Sequence, residues 1–147
     1  MSDVFCKEKR SWLMSRVKGR DTKPELLVRS LVHRMGFRFR IHRRDLPGKP
    51  DIVLPRHGKV IFVHGCFWHG HKRCSRSKRP TTREAFWNRK LDQNIERDER
   101  FRKRLRRVGW KVLIVWDCEI RKPEKLLRKL EGFLRDESGK ESETSRP

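Results

Sequence analysis

The sequence predicts an α/β fold of three layers, in which a central mixed β-sheet lies between helices on both faces. Two segments, near residues 22 and 81, each combine a Thr-x-x-Glu helix start with apolar residues at helical spacing. Short apolar runs typical of strands lie between these helices and after the second one. Interleaved helices and strands pack as layers around a shared core.

Four helices are expected. Capping boxes at Thr22 and Thr81 start the second and third, and Gly36 and Gly109 are suitable stops for them. Pro123 is a favoured first residue for the fourth. The expected extents are residues 7–17, residues 24–35, a long helix from the second capping box to about residue 108, and a helix from residue 123.

Four strands are expected, and the first three are predicted to form a meander. Residues 37–42 alternate between apolar and polar side chains, which predicts a strand with one wet face. Residues 51–54 and 60–64 follow, separated by a tight connection. Residues 110–116 are almost continuously apolar, as in a central strand covered on both faces.

Length and charge favour a single DNA- or RNA-binding domain. The chain has 147 residues, with 40 Lys and Arg against 19 Asp and Glu and a formal charge of +21, which attracts polyanions. One domain is expected over residues 1–135, followed by a disordered charged tail over residues 136–147. Neither a membrane span nor a signal peptide is recognisable, so a cytoplasmic, DNA-bound protein with reduced cysteines is expected.

Cysteines and histidines cluster after the third expected strand. Cys and His at this spacing, without a nearby run of carboxylates, favour zinc, and four protein ligands would make the site structural. The alternative is a set of unconnected thiols. His69 competes with His71 as a ligand, and Cys6 is expected to be a plain thiol. The expected zinc ligands are Cys66, His71, Cys74 and Cys118.

Asp51 follows a proline at the start of a strand, where a carboxylate can bind Mg²⁺. This arrangement resembles the core of the restriction-endonuclease-like nucleases, although the usual acidic residue and lysine of the next strand are absent. Histidines would then have to supply proton transfer. A plain strand-start aspartate is the alternative for Asp51, and the capping box is an alternative explanation for Glu25.

Several motifs together resemble the very short patch repair endonucleases over about residues 5–135. The Gly-Cys-Phe-Trp-His core is the most specific of them. Two departures from the family pattern are a longer spacing between His71 and Cys74 and a valine at position 63. The motifs lie at residues 46–51, 62–69, 86–87, 94–98 and 109–116.

The resemblance implies a Mg²⁺-dependent enzyme that nicks one DNA strand on the 5′ side of the T in a T·G mismatch. Such mismatches arise from deamination of 5-methylcytosine, so a functional link to a cytosine methyltransferase and to mismatch repair proteins is implied. Asp51 would bind magnesium, with the Val63 backbone carbonyl, and Glu25 would assist it. His64 and His69 would transfer protons and stabilise the phosphate, and Cys66, His71, Cys74 and Cys118 would bind structural zinc.

Aromatic residues are expected to open the base stack at the mismatch, which costs less than opening a matched pair. The resemblance makes Phe67 and Trp68 the intercalating residues, with Met14 and Trp87 as further members of this wedge. Packing in the core is the alternative for Phe67 and Trp68 and the default for Trp87. Basic residues expected to contact phosphates are Arg16, Lys18, Arg20, Arg76, Lys78 and Arg79, whereas residues 102–107 are typical of a solvated helix face.

Two other functions remain open from the residues. One is a restriction-type nuclease with a different target, and the other is a zinc-stabilised nucleic-acid-binding module without catalysis. Because nicking one strand needs one active site, a monomer is expected.

Overall fold

The computed structural model describes residues 22–136. The expected helix over residues 7–17, Cys6, Met14, the three basic residues at 16, 18 and 20, and the tail after Asp136 lie outside this range. Among the described helices, none has the length and apolar character needed to cross a membrane. The elements are α1 (Lys23–Arg34), β1 (Ile52–Leu54), β2 (Lys59–His64), α2 (Glu84–Arg107), β3 (Lys111–Trp116) and α3 (Pro123–Leu134), with 3₁₀ turns at Ser75–Ser77 and Asp117–Arg121.

The three strands form a mixed sheet in the order β1-β2-β3. β1 pairs antiparallel to β2, with Ile52 opposite Ile61, and β3 pairs parallel to β2, with Val60 opposite Val112. The mixed sheet is therefore as predicted. The position of β3 was predicted wrongly, because β2 is central and β3 lies at the edge of the described sheet, although apolar side chains cover both faces of β3.

Residues 37–42 do not form the predicted strand. Arg40 makes an isolated bridge to Val53, with N–H···O distances of 2.7 and 2.9 Å in the two directions. His42 then adopts φ 59°, a left-handed conformation that ends an extended segment. The expected three-stranded meander is thus reduced to the β1–β2 hairpin.

Side chains alternate across β2, so the sheet carries a core on each face. Ile61 packs with α1 and α3 residues such as Val28, Val32 and Leu130. Val60 and Phe62 point the other way and pack with Leu105 of α2. Helices therefore cover both faces, as the three-layer prediction requires.

The two predicted capping boxes differ in outcome. Thr22 is the N-cap of α1, and its hydroxyl accepts a bond from the Glu25 N–H at 3.4 Å. The box at Thr81 was predicted wrongly, because Arg83 is the N-cap of α2 and has φ 52° and no side-chain cap bond. The left-handed turn at Arg83 places the helix start after the threonines. Gly109 ends α2 with φ 100°, and α3 starts at Pro123, both as expected.

Candidate functional site

Asp51 lies at the entrance to β1, against the end of β2. Its backbone N–H bonds to the Ile61 carbonyl at 3.1 Å, and its carboxylate accepts the Val63 N–H at 2.6 Å. Burial raises the pKa of the Asp51 carboxyl to about 7, and the neighbouring Glu25 charge adds to the rise, while the Val63 N–H opposes it. A cation at this carboxylate would relieve the cost of burying its charge.

Glu25 is buried in the first turn of α1 and faces the same cleft as Asp51. Its carboxylate bonds to Arg29 at 3.2 Å, one helical turn later. Thr22 caps the helix through its hydroxyl, and the Glu25 side chain lines the cleft and bonds to Arg29. This cleft has a volume of about 550 Å³ and also contains His64, His69 and Asp98.

His64 and His69 stack face to face in this cleft. Their ring centroids lie 3.8 Å apart, with an interplanar angle of 10°. His64 is buried at the end of β2, and within the described part of the chain its Nδ1 has no hydrogen-bond partner. Burial lowers the pKa of His64 to about 3, which keeps its imidazole neutral at pH 7.

Asp98 binds His69, and the sequence pattern assigned it no role. The Asp98 carboxylate lies 2.5 Å from His69 Nδ1, and Asp98 projects from the middle of α2. An Nδ1–H bonded to a carboxylate leaves Nε2 as the proton acceptor. The available signal was an acid within one of the family motifs, residues 94–98, on a strongly basic helix.

The predicted metal ligands meet in one cluster. Each offers a donor atom, and these atoms all lie within 4.8 Å of one another. That spacing fits a tetrahedral site with Zn–S bonds of about 2.3 Å after a small contraction. His69 lies in the other cleft, so His71 takes the competing ligand position. The four residues are Cys66, His71, Cys74 and Cys118.

The cluster is tied to its surroundings by hydrogen bonds. Ser77 donates its hydroxyl hydrogen to the carbonyls of His71 and Cys74, at 2.7 and 2.8 Å. Burial and a bond to Asp117 raise the pKa of the Cys66 thiol, and burial also raises the pKa of Cys118. A bound metal would replace these thiol protons, as metal binding to cysteine does generally.

Three of the expected wedge residues form an aromatic cluster, with Phe67 and Trp68 on the loop after β2 and Trp87 in the first turn of α2. Phe67 contacts Trp68 and Trp87 with centroid separations of 5.1 and 5.6 Å, and Trp68 lies 5.9 Å from Trp87. Trp68 is 45 % exposed, and Phe86, which extends the cluster from Trp87, is 43 % exposed. Trp87 therefore packs against the loop aromatics rather than only in the core.

The three basic residues after the metal cluster differ in how available they are to bind phosphates. Arg79 binds Asn88 at 3.0 Å and Asp92 at 2.7 Å, so it braces the chain against α2. Arg76 lies 3.5 Å from Asp117. Lys78 is exposed, and no partner for it occurs in the described chain. Of the three predicted phosphate contacts in this segment, Lys78 is the most available.

The architecture is that of the restriction-endonuclease-like nucleases. The structure is similar to the homing endonuclease I-Bth0305I catalytic domain, with a TM-score of 0.55 and 21 % sequence identity over 77 % of this chain and 94 % of that one. At this identity the likeness shows the fold. The predicted fold class is thereby confirmed.

The sequence matches narrow this class to one family. Residues 2–76 match the family model of the DNA mismatch endonuclease Vsr. The chain is 47 % identical over 126 residues to the DNA mismatch endonuclease Vsr of Escherichia coli strain K12, covering 86 % of this chain and 80 % of that one. It is 48 % identical over 120 residues to the type II nicking enzyme V.XorIIP of Xanthomonas oryzae, covering 82 % and 88 %. The chain belongs to the Vsr endonuclease family, and the resemblance seen in the sequence is confirmed.

Proposed function

We propose that this Vsr-type endonuclease nicks one strand of duplex DNA on the 5′ side of the T in a T·G mismatch, with Mg²⁺ as the catalytic ion and Zn²⁺ in the cysteine cluster. The observation that carries this proposal is a single cleft holding Asp51, Glu25, His64, His69 and Asp98 beside an exposed aromatic cluster. The relatives named as mismatch endonuclease and nicking enzyme support it.

Magnesium fits Asp51 by its chemistry, because a buried carboxylate with a raised pKa is stabilised by a hard cation. Asp51 and the Val63 backbone carbonyl would hold the ion, with Glu25 nearby. A backbone ligand at position 63 needs no hydroxyl, so valine is compatible with this role. Bound magnesium supplies an activated water and neutralises charge on the phosphate.

His69 is the candidate proton acceptor. Asp98 fixes its Nδ1–H and thereby directs Nε2 into the cleft as a base. His64 remains neutral beside it because burial lowers its pKa, and it can donate or accept a hydrogen bond at the phosphate without adding a second positive charge. The stacked arrangement keeps both rings in one orientation, which reduces the reorganisation needed during reaction.

Mismatch recognition is assigned to Phe67 and Trp68, supported by Trp87. The exposed Trp68 ring and the half-buried Phe67 ring, on a loop that zinc would hold, can enter a base step, and a T·G pair is cheaper to separate than a matched pair. Duplex DNA is also compatible with the formal charge of +21. One cleft per chain suits cutting one strand, and we propose a monomer. A functional link to a cytosine methyltransferase and to mismatch repair proteins would follow from the mismatch that it cuts.

A nicking assay tests the proposal directly. End-labelled duplexes carrying T·G, C·G or A·T at one position, in several flanking sequences, are incubated with and without Mg²⁺. Cleavage of the T strand alone, 5′ of the mismatched T and dependent on Mg²⁺, is expected. Asp51→Ala should abolish cleavage and retain binding, while Glu124→Ala, a change of an exposed carboxylate on α3, serves as the control. Equal cutting of matched duplexes would indicate a restriction-type nuclease, and binding without cutting would indicate a binding module.

A further inference from the structure

A second cleft lies at the carboxyl end of α2, outside the site described above. It measures about 650 Å³ and is lined by apolar side chains that include Pro47, Val108 and Trp110, together with Arg43, Arg104 and Arg107. Val108 is 64 % exposed and gives the cleft an apolar side chain that is accessible to a ligand. The combination of apolar lining and arginines fits an anionic ligand with apolar parts.

Two of the three arginines are available to a ligand. Arg43 is held by Asp45, with N···O distances of 2.9 and 2.5 Å. Arg104 and Arg107 are exposed, and neither forms an ion pair within residues 22–136. Basic residues in the last turn also favour the helix dipole. The dipole does not account for the exposed Val108 or for the apolar lining beside them.

The second cleft adjoins the first one. Leu46 lines both clefts. Along α2, Arg97 and Phe101 face the first cleft, while Arg104 and Val108 face the second. Steps of three and four residues keep these side chains on one helix face. From Arg97 to Arg104 the helix rises about 10 Å, the length of roughly three base-pair steps.

We propose that the second cleft binds the DNA backbone that flanks the cut, with Arg104 and Arg107 on phosphates about three steps from the cleaved one. Deoxyribose faces would pack against Val108, Pro47 and Trp110. This inference extends the proposed function and rests on it for the position of the cut. DNA is favoured over an acidic protein segment because the second cleft adjoins, along one face of α2, the cleft that would hold the cleaved phosphate.

The first test compares two double variants that each remove two positive charges from neighbouring positions. Arg104→Ala/Arg107→Ala changes the cleft, and Lys103→Ala/Arg106→Ala changes exposed residues that do not line it. DNA affinity is measured without Mg²⁺ over a range of salt. The slope of log K against log salt should become shallower by about 1 to 2 for the cleft variant and much less for the control.

The second test uses duplex length. Trimming the duplex to two base pairs on one side of the mismatch should weaken binding by the wild-type protein about tenfold, as expected for lost phosphate contacts. The same trimming should have little effect on the cleft variant. Equal slopes for the two double variants, or equal trimming losses for wild type and cleft variant, would overturn the proposal.

An acidic protein segment would give a different pattern. In that case poly-glutamate binding would fall in the cleft variant while its DNA slope stayed equal to that of the control, which also overturns the proposal. Binding is measured on both T·G and matched duplexes, under conditions without cleavage. A lack of preference for the T·G duplex would refute the proposed function. The comparison of the two double variants would still test the second cleft.

Discussion

The metal-binding role that we propose for Asp51 needs its negative charge, whereas desolvation of the carboxyl favours the neutral form. An unfolded aspartate titrates near pH 3.9, whereas the folded-state pKa is about 7. The folded protein therefore holds this proton more tightly, and stability falls as pH rises from about 4 to 7. The side chain is thus a destabilising element at neutral pH that a bound cation would offset.

Asp51→Asn should therefore stabilise the zinc-loaded, magnesium-free protein. The gain over wild type should be about 1 to 3 kcal/mol larger at pH 8 than at pH 5, given a pKa shift of this size. Urea unfolding at the two pH values measures it. Protonation of His64 below its unfolded pKa lowers the stability of both proteins alike, so this effect cancels in the difference.

Two comparisons make the test sharper. Asp45→Asn, at an exposed carboxylate, should show no comparable pH-dependent gain. Addition of Mg²⁺ at pH 8 should stabilise the wild-type protein and leave Asp51→Asn unchanged. A pH-independent difference between wild type and Asp51→Asn would show that the carboxyl titrates normally.

Asp98 is the second residue whose proposed role, orienting His69, can be measured. In Asp98→Asn, an amide donor facing Nδ1 favours the other tautomer of His69, so Nε2 carries a hydrogen and loses its basicity. The rate of nicking should fall by about 10² to 10⁴, with little change in DNA affinity. Glu99→Gln, a change of an exposed acid next to Asp98 on the same helix, is the control. An unchanged single-turnover rate in Asp98→Asn would remove Asp98 from the mechanism.

At the scale of elements, Lys59 joins the central strand to the end of α3. It is buried, and its ammonium donates to the carbonyls of Phe133, Leu134 and Asp136 at 2.6, 3.0 and 2.8 Å. A cation at a helix carboxyl end satisfies carbonyls that have no intrahelical partner and complements the dipole.

Lys59→Met should leave those carbonyls unbonded and lower the free energy of unfolding by about 2 to 3 kcal/mol. Lys125→Met, at an exposed position of α3, should change it by less than about 0.5 kcal/mol. Denaturant titration of both variants measures the difference. Equal stabilities would mean that water replaces the ammonium without loss.

Gly70 and Gly132 provide opposite outcomes for the same substitution. Gly70 has φ 64°, and an added Cβ would collide with Ile95 Cδ1, where the loop that carries the cysteine cluster approaches α2. Gly70→Ala should destabilise the protein by about 1 to 3 kcal/mol and weaken metal retention. Gly132 lies in α3 with nothing within 4 Å of such a Cβ, so Gly132→Ala should stabilise by about 0.5 to 1 kcal/mol. Thermal melting of both variants tests the pair.

The sequence predicted helix ends correctly where the residues that set the end are neighbours along the chain. Thr22, Gly109 and Pro123 mark helix ends through their own backbone and side-chain bonds. The alternation in residues 37–42 failed because a strand also needs a pairing partner, and only Arg40 meets one. The order of the strands depends on packing between distant segments, and the apolar run of β3 does not encode it.

At the scale of the whole molecule, the candidate site was predictable in part. The resemblance to the family points to Asp51, Glu25, His64 and His69 as one site, and all four side chains line one cleft. Asp98 was missed because α2 is rich in charges and its spacing alone does not show which charge points inward. The second cleft was missed because it combines side chains from a turn, the end of α2 and the residue before β3.

Removal of metal from the cysteine cluster should destabilise the whole chain. We expect about one zinc per chain by elemental analysis, and about a 10 °C or greater fall in Tm after chelation, since loss of a structural metal commonly costs several kcal/mol. Cys74→Ser should lower zinc content, while Ser75→Ala, beside it and exposed, should keep it. Full zinc occupancy in Cys74→Ser would exclude Cys74 as a ligand.

The segment from His64 to Cys74 limits how this enzyme can evolve. It contains the end of the central strand, the stacked histidines, the aromatic pair and three of the four clustered ligands. A change in loop length that suits a different base step would also move His69 relative to Asp98 and the cysteines relative to Cys118. Under the proposed roles, target preference, proton transfer and metal retention would be inherited as one unit, and new specificities would be easier to reach through residues outside this loop.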